Sequence, residues 1–507
     1  MRKLPSLRNI LWSDLGILVM LALAGGVFHT LTNGQYGFHR DELDMVESAR
    51  HLAWGHVAYP PIAPFLARVA LELFGTSLAG LRFMAALAQA VAMVLTGLMV
   101  RELGGSRPAQ VVAALGSAAA PIALMASSMF HYVSFDYLWW VLIAYLMIRL
   151  LKTENPRWWL GIGAVIGLGL MTKYTMAFFT AGIVGGVVLT RARRYLVSPW
   201  LWDGVALSAL IFLPNLIWQV QHQFISLDFL SSIHARDVRM GRTANFLIEQ
   251  FYVCTNIVTV PIWGLGLFFF LGARDGQRYR PLGWMFVIPL ALFFISQGRG
   301  YYLSPAYPML LAGGAAWGER QLARLAAGAL RFARVLALGL VAISGAAFAA
   351  LVLPLAPVNS AWWEVAVKVN PELAEEIGWP ELVGTVAQIY AALPDGEKPL
   401  TAIFADNYGE AGAINLYGPA YGLPNAVSGM NSFWLRGYDN PAARTVIILG
   451  GDRADAEGLF DTCRIAGWIS NPYGVLNEET RQHSAVLLCQ GPHRTWPDIW
   501  KWVQRFG

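Results

Sequence analysis

Long apolar runs alternate with short polar connections over the first two thirds of the chain. Runs of roughly 16 to 22 residues recur near 11–31, 79–100, 107–126, 135–151, 158–172, 175–190, 201–219, 246–271, 281–296, 302–318 and 333–354. This is the length a bilayer core demands of a helix. The pattern predicts a polytopic α-helical membrane protein with about eleven spans in residues 1–354. The first run is long and lacks a small-residue cleavage site, so it reads as a retained span. From 355 to 507 the pattern changes. "PLTAIFADNYGEAGAINLYG" reads strand, loop, helix; "ARTVIILGG" and "HSAVLLCQG" are short apolar runs bounded by polar turns, as in buried strands. A C-terminal α/β domain of about 150 residues is the simplest account, and it is large enough for its own core.

Composition agrees: 56% of residues are hydrophobic and 14% charged, against a usual charged share of about 25%. The net charge of +5 points to no nucleic acid, because its distribution follows the connections. Eighteen cations, from Arg2, Lys3 and Arg8 to Arg331 and Arg334, fall on the N-terminal side of the predicted spans, and eight on the other side. The positive-inside rule then places the N-terminus in the cytoplasm and the C-terminal domain outside. Of three cysteines, Cys254 falls in an apolar run. Cys463 and Cys489 lie in the polar C-terminal region, and spacing leaves open whether they pair.

The eight outer cations break the charge bias and lie near acids. "YGFHRDELDMVESARHLAWGHVAYPP" fills the long connection after the first run, with helical character over 42–54 and a second helix near 62–75. Asp41 reads as a helix N-cap with Asp44 in the first turn, or as a general base at the outer interface with His39 and Arg40 beside it. Asp136 in "SSMFHYVSFDYLWW" reads likewise as a capping residue or as a functional acid at membrane depth, with His131 nearby. Lys173 in "LMTKYT", Arg299 in "SQGRGYYLSPAYPML" and Arg236, Arg239 and Arg242 in "IHARDVRMGRTANF" share that side. Cations converging there suit a phosphate, and a phosphate in the membrane plane belongs to a lipid.

Taken together, "GFHRDELDMVESARHLAWGHVAYPPIAPFLARV", "FDYLWW", "GLGLMTKYTMAFF" and "GRGYYLSPAYPMLLAGGA" resemble the bacterial GT-C membrane glycosyltransferases of family 39. These are related to the protein O-mannosyltransferases and the lipid A aminoarabinose transferase. The resemblance implies a polyprenyl-phosphate sugar as donor and an envelope lipid, glycan or protein as acceptor. By position it makes Asp41 the catalytic base or acceptor-orienting acid, with Glu42 its companion and Asp136 an assisting acid. Lys173, Arg299, Tyr302, Tyr307 and Arg40 would hold the donor phosphate. His39, Arg236, Arg239 and Arg242 would serve the acceptor or its loop. No cofactor is required by the motifs, and a divalent metal on Asp41, Asp136 and His131 stays open. "GRGYY" departs from the Lys-rich late motif of the aminoarabinose transferase, which leaves the donor sugar unassigned. The expected activity is inverting glycosyl transfer. The rival readings are a flippase for a lipid-linked sugar and a non-catalytic polysaccharide assembly factor.

Overall fold

The structure, a computed structural model, describes residues 13–325 and 327–507. Arg2, Lys3, Arg8 and the start of the first apolar run lie outside the described residues. Every predicted apolar run has a helical counterpart. In chain order the helices are α1 Asp14–Thr32, α2 Arg40–Arg50, α3 Ile62–Phe74, α4 Leu78–Glu102, α5 Arg107–Ala118, α6 Pro121–Ser128, α7 Tyr132–Thr153, α8 Trp158–Leu170, α9 Met176–Val188 and α10 Pro199–Gln221. They continue with α11 Ile225–Arg239, α12 Phe246–Tyr252, α13 Val260–Leu271, α14 Arg280–Ile295, α15 Tyr307–Leu325 and α16 Ala327–Val352.

Length and composition do not make each of these a full crossing. Among the described residues six helices are long and apolar enough to span a membrane alone, or nine if each sharply bent pair counts once. The run at 107–126 is the pair α5–α6, bent by 66° where Pro121 opens the second helix. The run at 246–271 likewise breaks, by 87°, between α12 and the helical stretch from Ile257 that includes α13. Helix α8 has 13 residues, too few for about 30 Å of hydrocarbon. Helix α15 carries Glu319, Arg320 and Arg324 near its end.

The two ends of the bundle differ in chemistry. At one end the connections pair their charges: Glu102 with Arg149 and Lys152, Glu154 with Arg194 and Arg278, and Glu319 with Arg334. At the other end lie α2 and the sequence from residue 355 onward.

That later sequence begins with α17 Ala361–Val369 and α18 Trp379–Ala391, then β1 Thr401–Ala405, α19 Tyr408–Tyr417, β2 Ala426–Val427, β3 Thr445–Leu449, β4 Phe460–Trp468 and β5 Ala485–Pro492. The sheet order is β2-β1-β3-β5-β4. Strand β1 runs parallel to β2 and β3, and β5 runs antiparallel to β3 and β4. The strand β4 had no sequence signal because most of its side chains are exposed, so it lacks the alternation a half-buried strand shows. Cys463 on β4 faces Cys489 on β5 and the two form a disulfide. Trp496 and Trp500 are buried.

One hydrophobic core runs from the bundle into the sheet. Leu43 and Met45 of α2, Phe130 and Phe135 near α7, Trp379, Ile403, Ile414 and Ile447 belong to it. Helix α2 is therefore enclosed, with residues 42–49 all buried. Helix α19 lies so close that a Cβ on Gly412 would sit 2.8 Å from the Cβ of Leu43, which is why a glycine is required there.

The polar groups of α2 are met inside the core. Arg82 of α4 is fully buried and uses all five of its N–H groups. Its Nε and Nη2 donate to the two oxygens of Glu42 at 2.9 and 2.7 Å. The remaining bonds go to Glu376 and to the carbonyls of Asn33 and Gly37. Glu42 also accepts the N–H groups of His39 and Phe130. Breaking one half of a buried pair strands a charge, at a cost of about 3–5 kcal/mol, whereas apolar replacement of both halves is often tolerated. Glu42→Ala is accordingly expected to lower the thermal unfolding midpoint in detergent sharply, and Glu42→Leu with Arg82→Met to recover most of it; equal midpoints for Glu42→Ala and the parent would show that the pair is not a keystone.

Candidate active site

Helix α2 begins with a capping box whose cap is His39, not Asp41. The His39 Nδ1 accepts the Asp41 N–H at 3.1 Å, and Glu42 accepts the His39 N–H at 2.9 Å. Asp41 falls in the first turn, so its carboxylate is not consumed in capping. At α7 the cap is again a histidine, His131, whose Nδ1 accepts the Val133 N–H. Asp136 lies a full turn inside that helix.

The carboxylate of Asp41 opens into a cavity of about 730 Å³ between the bundle and the C-terminal sequence. Its Oδ1 accepts the Tyr408 hydroxyl at 2.8 Å. Its Oδ2 lies 3.9 Å from His39 Nδ1 and 3.8 Å from His131 Nε2, too far for a hydrogen bond, so that oxygen faces the cavity with its lone pairs available. Burial alone would raise the Asp41 carboxyl. The positive field of His39, His131 and Arg40 and the Tyr408 bond outweigh it and hold the group well below the usual carboxylate range. Burial pushes His131 down to about 4, so near neutral pH this ring adds no charge beside Asp41. Burial acts on His39 in the same sense, but the Glu372 bond at 2.9 Å and the Asp41 charge raise it to about 9. A bare Nδ1 is needed for the cap, so capping and electrostatics pull this ring in opposite directions.

Across the cavity stand the cations. Lys173, in the turn between α8 and α9, has no carboxylate within ion-pair distance among the described residues. Its Nζ sits over the rings of Tyr302 at 4.2 Å, Tyr301 at 5.3 Å and Tyr132 at 5.5 Å. Arg299 is held by Asp237 of α11 in a two-pronged pair of 2.6 and 2.7 Å. Arg236 and Arg242 join the same wall, and Arg242 lies 3.7 Å from Asp237. Phe178, Phe229, Leu230 and Ile233 supply an apolar side.

The predicted residues thus divide. Asp41, Arg40, His131, Lys173, Arg236, Arg242, Arg299 and Tyr302 line one cavity. Arg40 reaches it already paired with Glu478 and Glu479 at 2.6 and 3.3 Å. His39 is buried under Asp41. Glu42 is turned away into the Arg82 network. Asp136 is buried against Trp140 Nε1 at 3.0 Å and is not on the cavity wall. Tyr307 donates to Gln250 inside the bundle core, and Arg239 is exposed. The open metal set does not assemble: among the described residues no group of three or more His, Cys, Asp or Glu side chains could hold an ion.

Comparisons with known proteins bear on this geometry. Residues 58–218 match the family model for dolichyl-phosphate-mannose-protein mannosyltransferase. The lipid A galacturonosyltransferase RgtD of Rhizobium johnstonii is 26% identical over 298 residues, 56% of this chain and 60% of RgtD. ArnT from Cupriavidus metallidurans, solved with undecaprenyl phosphate, superposes with a TM-score of 0.58 at 15% identity, covering 93% of this chain and 97% of ArnT. The oligosaccharyltransferase of Archaeoglobus fulgidus gives 0.52 at 14% identity over 83% of this chain and 65% of its own. The chain shares the fold of these two solved structures. The matched segment contains Lys173, His131 and Asp136 and excludes Asp41 and Arg299, so the cavity draws residues from well beyond it.

Sequence reasoning missed the wall that the C-terminal region builds: Tyr408, Glu372 and Glu375. Tyr408 stood in a quoted motif, but nothing in its spacing from Asp41, 367 residues away, links the two. It also passed over Asp44 as a first-turn acid. Asp44 is 5% exposed, accepts the Tyr59 hydroxyl at 2.5 Å and leaves its Oδ1 without a partner at the cavity wall. Burial raises its carboxyl to about 6, against the opposing charge of Arg436. A carboxyl bound more tightly to its proton when folded costs nothing below pH 3.8. The cost grows between 3.8 and about 6 and is complete above. Asp44→Asn keeps an acceptor for Tyr59, so at pH 7.5 it is expected to be more stable than the parent by about 2–3 kcal/mol. The advantage should shrink as pH falls toward 4 in thermal unfolding scans; a pH-independent difference would refute the assignment.

Proposed function

We propose that this chain is an inverting glycosyltransferase of the bacterial inner membrane, taking a sugar from a polyprenyl-phosphate donor and passing it to an envelope lipid, glycan or protein at the outer face. The observation that carries the reading is the one cavity that Asp41 lines together with Lys173, Arg40, Arg236, Arg242, Arg299 and Arg481. The cations receive a phosphate, and Phe178, Phe229 and Leu230 offer the start of a prenyl chain an apolar path. ArnT was solved with undecaprenyl phosphate, which fits this division of the cavity. The cation-rich paired end of the bundle is assigned to the cytoplasm. The Cys463–Cys489 disulfide suits an oxidising compartment for the C-terminal region.

In the reaction the acceptor oxygen attacks the anomeric carbon from the face opposite the phosphate. The bond from that carbon to the phosphate oxygen breaks, and its electron pair stays on the phosphate. Lys173 and Arg299 neutralise the charge as it grows, in a wall already set in place by tyrosine rings and by Asp237. The acceptor proton passes to Asp41. A carboxylate held below its usual range is a weak base, which suffices because the leaving group is a phosphate and the acceptor oxygen turns acidic only as it bonds to carbon. Tyr408 and the His39–Glu372 pair keep the carboxylate aimed. Asp136, bonded to Trp140 and off the cavity wall, takes no part in this reading. A flippase or a binding-only assembly factor gains no specific support from the geometry.

Asp41→Asn is expected to cut transfer from a polyprenyl-phosphate sugar by about 10²–10⁴-fold while undecaprenyl phosphate still binds. Lys173→Ala is expected to weaken that binding by about tenfold to a hundredfold, the loss of one charge-assisted bond. Radiolabelled-donor turnover and lipid binding by the purified protein read both. Full turnover by Asp41→Asn would sink the catalytic assignment.

A further inference from the structure

A second cavity of about 170 Å³ adjoins the first and shares Arg40, Arg236, Tyr408 and Glu478 with it. It lies beyond the carboxyl ends of the parallel strands β1 and β3, where Asp406 and Gly450 follow them. Ligands of open α/β sheets bind in such crevices. Glu410 of α19 lines it with no solvent exposure, and neither of its carboxyl oxygens makes a hydrogen bond of good geometry, although the Asp406 and Asn407 backbones lie close. Glu479 Oε2 is a further unpartnered acceptor on the wall, and the Nε atoms of Arg40 and Arg236 are unpartnered donors.

Buried polar groups are ordinarily satisfied, at a cost of about 1–3 kcal/mol each when they are not. The orphaned atoms therefore describe their ligand. A bare cation would meet Arg40 and Arg236. A phosphate would meet Glu410, Glu479 and Asp406. A divalent ion lacks a ligand set among the described residues. A neutral ring bearing several hydroxyls, each donor and acceptor at once, satisfies both kinds of orphan.

We propose that this annex binds a sugar unit of the acceptor, its hydroxyls donating to Glu410 and accepting from the arginine Nε groups. Tyr408 joins the annex to the reaction: it lines both cavities and its hydroxyl lies on Asp41. A saccharide held by Glu410 thus presents a neighbouring hydroxyl toward Asp41. The acceptor is then a glycan or a sugar-bearing lipid, a conclusion that rests on the glycosyl-transfer reading of the main cavity. Gly450, with a φ of +70°, keeps the annex clear, since a Cβ there would lie 2.6 Å from Glu410 Oε2.

Saturation-transfer NMR on the full-length protein in detergent, with D-galactose and D-glucosamine as probes, reads the annex directly. The parent is expected to give a saturable signal, and Glu410→Leu, of similar volume without acceptors, one at least fivefold weaker with undecaprenyl phosphate binding retained. Lys173→Ala should do the reverse. If Lys173→Ala binds the lipid phosphate normally, the main-cavity reading fails while the annex result stands by itself. Absence of a saturable signal from the parent, or equal signal from Glu410→Leu, overturns the annex. So does thermal stabilisation by millimolar Ca²⁺ that Glu410→Leu abolishes, which would make it a cation site. If Glu410→Leu fails to bind the lipid, Glu410→Gln is read instead, with a threefold loss expected and no loss overturning the proposal.

Discussion

The guanidinium of Arg82 has no contact with solvent, and all five of its N–H groups are used. Its partners come from the end of α1, the loop that follows, the first turn of α2 and the turn before α18. Burying such a charge is costly unless every donor is met and the opposite charge is at hand. The chain meets that demand only when helix α4 of the bundle, the first connection and the C-terminal region are assembled together. Glu42 is the joint: it holds Arg82, closes the cap of α2 and fixes the start of α7 through Phe130. Asp41 is its neighbour in sequence, so this network sets where the Asp41 carboxylate stands relative to Lys173 and Arg299.

Histidine at the cap of α2 leaves Asp41 its charge and one open oxygen. The cations opposite are held in two different ways. Arg299 is fixed by a buried carboxylate and keeps the remainder of its charge for the cavity. Lys173 is surrounded by tyrosine faces, which favour the ammonium without neutralising it. At the other end of the bundle Glu102, Glu154 and Glu319 pair with arginines and lysines of the connections.

The sheet-containing region does more than cover this site. It shares a core with α2, supplies Tyr408 to the Asp41 carboxylate and Glu372 to His39, and brings Glu478 and Glu479 to Arg40. The glycine at 412 allows α19 to approach α2 closely enough for these contacts. The cavity and its annex are thus products of one interface, and changes there act on both.

The sequence by itself determined that the chain is built of many apolar helices, and it singled out Asp41, Lys173 and Arg299, which the fold brings to one cavity. Apolar runs of bilayer length, the cation bias and the outlying Asp41, Lys173 and Arg299 are all local or additive features, and each is visible without knowing what touches what. Strands β1, β3 and β5 were legible for the same reason, since burial on both faces writes a continuous apolar run. What only the tertiary structure decided was the division of labour among adjacent residues. Asp41 and Glu42 are chemically alike and one residue apart; helix geometry sends one to the cavity and the other to Arg82. Asp136 and Tyr307 look like site residues and are taken up by Trp140 and Gln250. Asp44, Tyr408 and Glu410 carried no signal, because a role that depends on an unpartnered oxygen or on a contact hundreds of residues away exists only once the chain has folded.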